Sequence, residues 1–64
     1  NDQHRLEALL DLVDPERTED PDRSRRLAGF GLARDSGRAG YRPTTAGWNL
    51  LGARGARFRA PNEG

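Results

Sequence analysis

Residues 27–51 read Leu-Ala-Gly-Phe-Gly-Leu-Ala-Arg, then Asp-Ser-Gly-Arg-Ala-Gly, then Tyr-Arg-Pro-Thr-Thr-Ala-Gly-Trp-Asn-Leu-Leu. This order predicts the end of a helix, a short strand, a glycine-rich turn, a second strand and a new helix. The strands are expected at 32–34 and 40–42, and Pro43 ends the second because it cannot donate to a ladder. Thr44 is a suitable N-cap for a helix over 45–54, and Gly55 is expected to end that helix.

Upstream, the sequence predicts an amphipathic helix over residues 2–13. Its apolar residues recur at the i, i+3, i+4 and i+7 positions that one helix face requires, namely Leu6, Leu9, Leu10 and Val13. Pro15 ends this helix, because the residue before a proline is pushed out of helical dihedrals. His4 lies roughly opposite the apolar stripe, so we expect it to be exposed and to bind no metal.

Residues 14–22 contain two prolines and five acidic residues, which is typical of a solvated connector. Its end resembles a helix start, with Asp20 as the N-cap and Pro21 in the first helical position. The second helix is therefore predicted over 21–30, with Leu27 and Phe30 facing inward and a cationic face outside.

The large apolar residues suffice for one thin core in a domain of this size. We predict that a single cluster contains Leu6, Leu9, Leu10, Val13, Leu27, Phe30, Leu32, Trp48 and Leu51.

The 64 residues allow at most one domain. We predict an α+β, mainly α fold of three helices with a two-stranded hairpin between the second and third. The domain is expected over 1–55, followed by a basic tail over 56–64 that is either flexible or laid on the domain. Cysteine is absent, which excludes disulfides and thiolate metal sites. With no apolar run of membrane-spanning length, we expect a soluble, cytoplasmic protein.

Charge is divided sharply along the chain. Residues 1–22 carry eight acids and two arginines, net −6, whereas residues 23–64 carry nine arginines and two acids, net +7. Such asymmetry suggests a nucleic-acid or protein-partner surface in the basic half. The absence of lysine has a second explanation, since a GC-rich genome also favours arginine.

The run Gly31-Leu32-Ala33-Arg34, a glycine-containing turn, Gly40-Tyr41-Arg42-Pro43-Thr44-Thr45-Ala46-Gly47 and then Leu50-Leu51 resembles the wing of bacterial winged-helix regulators of the MarR and PadR type. The resemblance implies a winged-helix-like fold whose recognition helix is residues 23–30, and a wing tip at Arg38. The nucleic-acid-binding residues would then be Arg23, Arg25, Arg26, Arg34, Arg38 and Arg42.

A second class of function is a small non-enzymatic protein-interaction module, either a dimerising adaptor or a phage-type inhibitor or accessory protein. Only 17 residues separate Val13 from Gly31, whereas a full helix-turn-helix needs two helices there, and this favours protein interaction. The partner, or another copy, would contact the acidic side at Asp11, Asp14 and Glu16. The alternative is a DNA-binding regulator that uses the arginine-rich helix and wing.

No catalytic constellation is recognisable. Ser24 and Ser36 have no histidine partner nearby in sequence, and the carboxylates cluster in a polar connector where nothing suggests perturbed pKa values. We therefore expect no enzymatic activity, no cofactor and no metal.

Overall fold

A computed structural model describes residues 2–61 of the chain. Its elements, in chain order, are α1 (Asp2–Val13), α2 (Pro21–Gly29), β1 (Ala33–Asp35), β2 (Tyr41–Pro43), α3 (Thr45–Leu51) and α4 (Ala53–Ala56). The predicted class, α+β and mainly α, is confirmed, and the hairpin lies between α2 and α3 as expected. The described part has four α-helices where three were predicted. None of these helices is long and apolar enough to cross a lipid bilayer.

The two caps predicted for α2 and α3 are both present. The Asp20 carboxylate accepts from the backbone N–H groups of Asp22 and Arg23, and Pro21 opens α2. The Thr44 hydroxyl accepts from the Gly47 N–H and donates to the Gly31 carbonyl at 2.6 Å. Thr44 therefore caps α3 and also ties it to the chain that leaves α2.

The hairpin is shifted by one residue from its predicted position. β1 and β2 pair antiparallel with Ala33 opposite Pro43, Arg34 opposite Arg42 and Asp35 opposite Tyr41. A 3-10 turn, Gly37–Ala39, joins them. Ala33 and Pro43 are buried, so this pair faces the core.

Helix α3 lies unusually close to the hairpin. A Cβ placed on Gly47 would stand 2.1 Å from the Leu32 carbonyl oxygen and 3.0 Å from the Pro43 Cβ. Only a residue without a side chain fits there, which explains a glycine inside a helix despite a cost of about 1 kcal/mol relative to alanine.

The single helix predicted over 45–54 is wrong, because the chain breaks at Gly52. This glycine has φ +56°, a left-handed conformation that other residues adopt at a cost, so α3 ends and the short α4 begins. The expectation that Gly55 ends the helix is wrong for the same reason. Gly55 is instead buried within α4, where a Cβ would lie 2.7 Å from the Leu51 Cβ.

The core is one cluster, as predicted, with one error. Its buried residues are Ala8, Leu9, Leu10, Val13, Leu27, Ala33, Trp48 and Leu51, and Leu6 and Leu32 pack against it partly buried. Phe30 was predicted to be in the core but is 59 % exposed. Helix α2 ends at Gly29, so Phe30 follows the last helical residue, and the Arg5 guanidinium lies over its ring. Phe58, in the predicted tail, is half-buried against the core, and residues 62–64 of that tail lie outside the described residues.

Candidate functional site

The acidic side of α1 is paired with arginines of the same chain. One Arg17 guanidinium nitrogen lies 2.9 Å from a Glu7 carboxylate oxygen and 3.3 Å from one of Asp11. The Arg17 Nε is 3.9 Å from Asp14. Arg23 reaches the other Asp11 oxygen at 3.4 Å, and Arg54 reaches Glu7 at 3.8 Å.

These pairs change the ionisation of Glu7 and Arg17. The hydrogen bond from Arg17 lowers the pKa of the Glu7 carboxyl, with further lowering from the positive charges of Arg17 and Arg54. The same hydrogen bond raises the pKa of Arg17, and its bond to Asp11 adds to that effect. Both groups are therefore held in their charged forms at neutral pH.

The acidic residues predicted to contact a partner thus have different surroundings. Asp11 and Asp14 have side chains that are mostly covered, and both are in ion pairs with Arg17. Glu16 is exposed, and its backbone N–H donates to the Asp14 carboxylate. The predicted interaction through these three residues stays a prediction.

The six predicted nucleic-acid-binding arginines fall into two groups of three. Three are engaged within the chain: Arg23 pairs with Asp11, Arg25 pairs with Asp22, and Arg42 donates to the Leu12 carbonyl at 3.2 Å. The other three are exposed and form no ion pair with any residue between 2 and 61. We call them the exposed arginine triplet: Arg26, Arg34 and Arg38.

Arg38 lies in the 3-10 turn at the tip of the hairpin, as predicted for a wing tip. Arg34 is on β1, opposite Arg42, and Arg26 is in the last turn of α2. The triplet therefore comes from three separate elements.

Phe30 forms one wall of a groove between the first half of α1 and the end of α2. The groove measures about 180 Å³, and we call it the Phe30 groove. It is lined by His4, Arg5, Ala8, Arg23, Arg26, Leu27 and Phe30.

The floor of the Phe30 groove is apolar and its rim is basic. Ala8 and Leu27 are buried members of the core. The Arg5 guanidinium lies over the Phe30 ring, 4.1 Å from the ring centroid, which is close enough for a cation–π interaction. No carboxylate lines the groove.

Sequence reasoning missed this groove because it assigned Phe30 to the core and gave Arg5 no role. A signal was present, since Phe30 stands between Gly29 and Gly31. Glycines at a helix end commonly stop the helix there, and a residue beyond the last turn no longer follows the helical stripe.

Tyr41 and Trp48 belong to the core rather than to an open stacking surface. Trp48 is buried and Tyr41 is half-buried. Arg42 and Arg59 lie 5.9 and 5.6 Å from the centre of the Trp48 ring. Within residues 2–61, no group of three or more histidine, aspartate or glutamate side chains is arranged to hold a metal ion.

Comparison with known proteins finds no matching family model, no matching curated protein and no matching solved structure. The resemblance of residues 27–54 to the wing region therefore stays a prediction. The connection between α1 and α2 contains no helix, so α2 stands alone where a helix-turn-helix has two helices.

Proposed function

We propose that this chain is a small, non-enzymatic protein-interaction module of the cytoplasm that binds its partner through the Phe30 groove. The observation that carries the proposal is the exposure of Phe30. Among the described residues it is the one large hydrophobic side chain that is strongly exposed.

An exposed aromatic ring beside arginines has the composition of a binding hot spot. Aromatic residues and arginine are enriched among the few side chains that dominate binding energy, whereas lysine and acidic residues are depleted at interface centres. Phe30 contributes a rigid apolar surface, and Arg5 and Arg26 supply charged donors at its edge. A partner that covers the ring removes from water the apolar area that folding leaves exposed, and this burial stabilises the complex.

The internal ion pairs also favour this surface over the acidic one. Asp11 and Asp14 would have to exchange Arg17 for a partner's cation, and such an exchange of one ion pair for another gains little. Arg26 has no such partner to give up within residues 2–61. A new charged contact therefore contributes most to the free energy of binding when it is made at the basic rim of the groove.

The experiment is a selection of random peptides on the immobilised chain, with Phe30→Ala as the counter-selection target. We expect the selection to yield peptides that bind the wild type but do not bind Phe30→Ala. These peptides should also bind the control variant Asn49→Ala, which changes an exposed residue on α3. Circular dichroism checks that the variants are folded. Selected peptides that bind all three proteins equally, or a selection that yields none, would contradict the proposal.

A second candidate function is binding of duplex DNA, favoured by the exposed arginine triplet. Exposed arginines attract phosphates, and release of condensed counterions drives the association. Arg38 at the hairpin tip is suited to a minor groove, where arginine is favoured. This candidate uses α2 and the hairpin and does not require Phe30.

A further inference from the structure

Resting on the proposed function, we propose that the Phe30 groove binds an acidic peptide segment that carries one apolar anchor side chain. The anchor lies against Phe30 and Leu27. The acidic residues on either side of it pair with Arg5 and Arg26.

The size of the groove fits one apolar side chain. Its volume of about 180 Å³ is of the same order as an engineered cavity of about 150 Å³ that holds benzene. Its floor, Ala8 and Leu27, belongs to the packed core and is therefore preformed. An anchor side chain gains burial here without the chain having to rearrange, which lowers the cost of binding.

The charges around the groove select for an acidic segment. Three arginines line it and no carboxylate does. Arg26 makes no ion pair with a described residue, and Arg5 faces only Asp2, at 3.6 Å, whose side chain is 83 % exposed. The Arg26 guanidinium is thus open to a carboxylate, whereas Arg5 would exchange its pair with the exposed Asp2 for one with the bound segment. Arginine binds a carboxylate through two parallel hydrogen bonds.

The contact between Arg5 and Phe30 places the charge and the apolar surface together. A guanidinium stacked on a ring uses its face for the ring and keeps its N–H donors, which lie in the plane, for an acceptor. A segment that buries its anchor beside Phe30 therefore brings the neighbouring carboxylate within reach of Arg5. A basic or neutral segment would gain the apolar contact and lose the charged one.

A second copy of the chain is a poor candidate for the occupant of the Phe30 groove. Its acidic connector, residues 14–20, has no large apolar residue to serve as the anchor. Of the three acids of its α1, Glu7 and Asp11 are already paired with Arg17, Arg23 and Arg54, and Asp2 is paired with Arg5. The charge and the anchor therefore point to a separate protein.

The test is an NMR titration of the whole chain with four synthetic peptides. The probe has the sequence Glu-Asp-Glu-Leu-Glu-Asp-Glu with blocked ends. The second peptide has serine in place of leucine, the third has glutamine and asparagine in place of the acids, and the fourth has lysines in place of the acids. We expect the probe to shift the amide signals of the groove and each altered peptide to bind at least about tenfold more weakly, a difference of about 1.4 kcal/mol.

Protein variants separate the groove from the rest of the basic surface. Arg26→Ala and Phe30→Ala should each weaken binding of the probe by about tenfold. Arg34→Ala, a change of another exposed arginine on the hairpin, should leave binding unchanged. Because Arg26 and Phe30 are both exposed, neither change should prevent folding, and two independent variants test the same groove.

Each other outcome overturns this inference in a recognisable way. Equal binding of the neutral peptide would remove the acidic requirement and leave the interaction module standing. If Arg34→Ala weakened binding of the probe as much as Arg26→Ala does, the probe would be attracted by net charge alone. A dimer that Phe30→Ala abolishes would make a second copy the occupant. Absence of binding by all four peptides would refute the acidic occupant, and an empty peptide selection would refute the proposed function as well.

Discussion

Replacing Gly47 with alanine tests how closely α3 packs on the hairpin. The added Cβ would stand 2.1 Å from the Leu32 carbonyl oxygen, whereas even close contacts of carbon with oxygen are about 3.3 Å or longer. That oxygen cannot simply move away, because it accepts a hydrogen bond of 3.0 Å from the Thr44 N–H. Pro43, whose Cβ would be 3.0 Å away, blocks the other direction.

The expected cost follows from two opposing effects. Overpacking typically costs about 1–3 kcal/mol, and an overlap of more than 1 Å against backbone belongs at the upper end. Alanine in a helix interior recovers about 1 kcal/mol relative to glycine. We therefore expect Gly47→Ala to lower the free energy of unfolding by about 2 kcal/mol, which for a domain of this size lowers Tm by roughly 8–16 °C.

The assay is urea unfolding followed by the fluorescence of Trp48, which is the only tryptophan and is buried. The matched control is Gly29→Ala at the end of α2, where an added Cβ meets nothing within 4 Å. The control should be as stable as the wild type or more stable by up to about 1 kcal/mol. A Gly47→Ala chain as stable as the control would refute the close packing of α3 on the hairpin.

Three further predictions concern the core, the ion pairs and the second candidate function. Leu9 is fully buried, so Leu9→Ala should cost about 2–5 kcal/mol in urea unfolding, and a cost below about 1 kcal/mol would mean that α1 does not face the core. Folding lowers the pKa of Glu7 from 4.5. The ionised Glu7 carboxylate therefore stabilises the folded state fully above pH 4.5, and this stabilisation is lost as the pH falls through the lower pKa of the folded state. Glu7→Gln should therefore be less stable than the wild type at neutral pH and converge with it in acid; a constant difference across a pH series of urea midpoints would contradict this. If DNA binding uses the exposed arginine triplet, log affinity should fall with log salt at a slope of about −2.7, and Arg38→Ala should flatten it by about 0.9; a slope unaffected by that change would argue against the triplet.

The local elements could be predicted because their signals are local. The stripe of α1, the Asp20 cap followed by Pro21, and the Thr44 cap each depend on residues within one or two turns. The hairpin followed from the turn residues between two short strand segments, although each strand lies one residue later than predicted. Such patterns fix the type of an element more firmly than its boundaries.

Features set by tertiary contacts could not be predicted in the same way. Gly52 reads as a poor helix residue, but its left-handed conformation, which splits the helix, is a property of the folded chain. The opposite charges of the two halves suggest an external partner. In the fold, however, Arg23 and Arg54 of the basic half form ion pairs with acids of α1. Sequence spacing gave no indication that Asp11 and Arg23, twelve residues apart, would pair.

The exposure of Phe30 is the clearest case. Its spacing of three residues from Leu27 matches a buried helix face, and only the helix end at Gly29 takes it out of that face. An apolar residue that a helical pattern would bury, and that the fold leaves 59 % exposed, is the kind of local conflict expected at functional or strained sites.

The ratio of dissociation constants for a selected peptide between Phe30→Ala and the wild type tests the central claim most directly. Both proteins are compared at equal folded fraction, so that the ratio reports binding alone. A hot-spot side chain contributes at least about 2 kcal/mol, which predicts a ratio of roughly 30 or more. A ratio near one would contradict the claim that Phe30 anchors a protein partner.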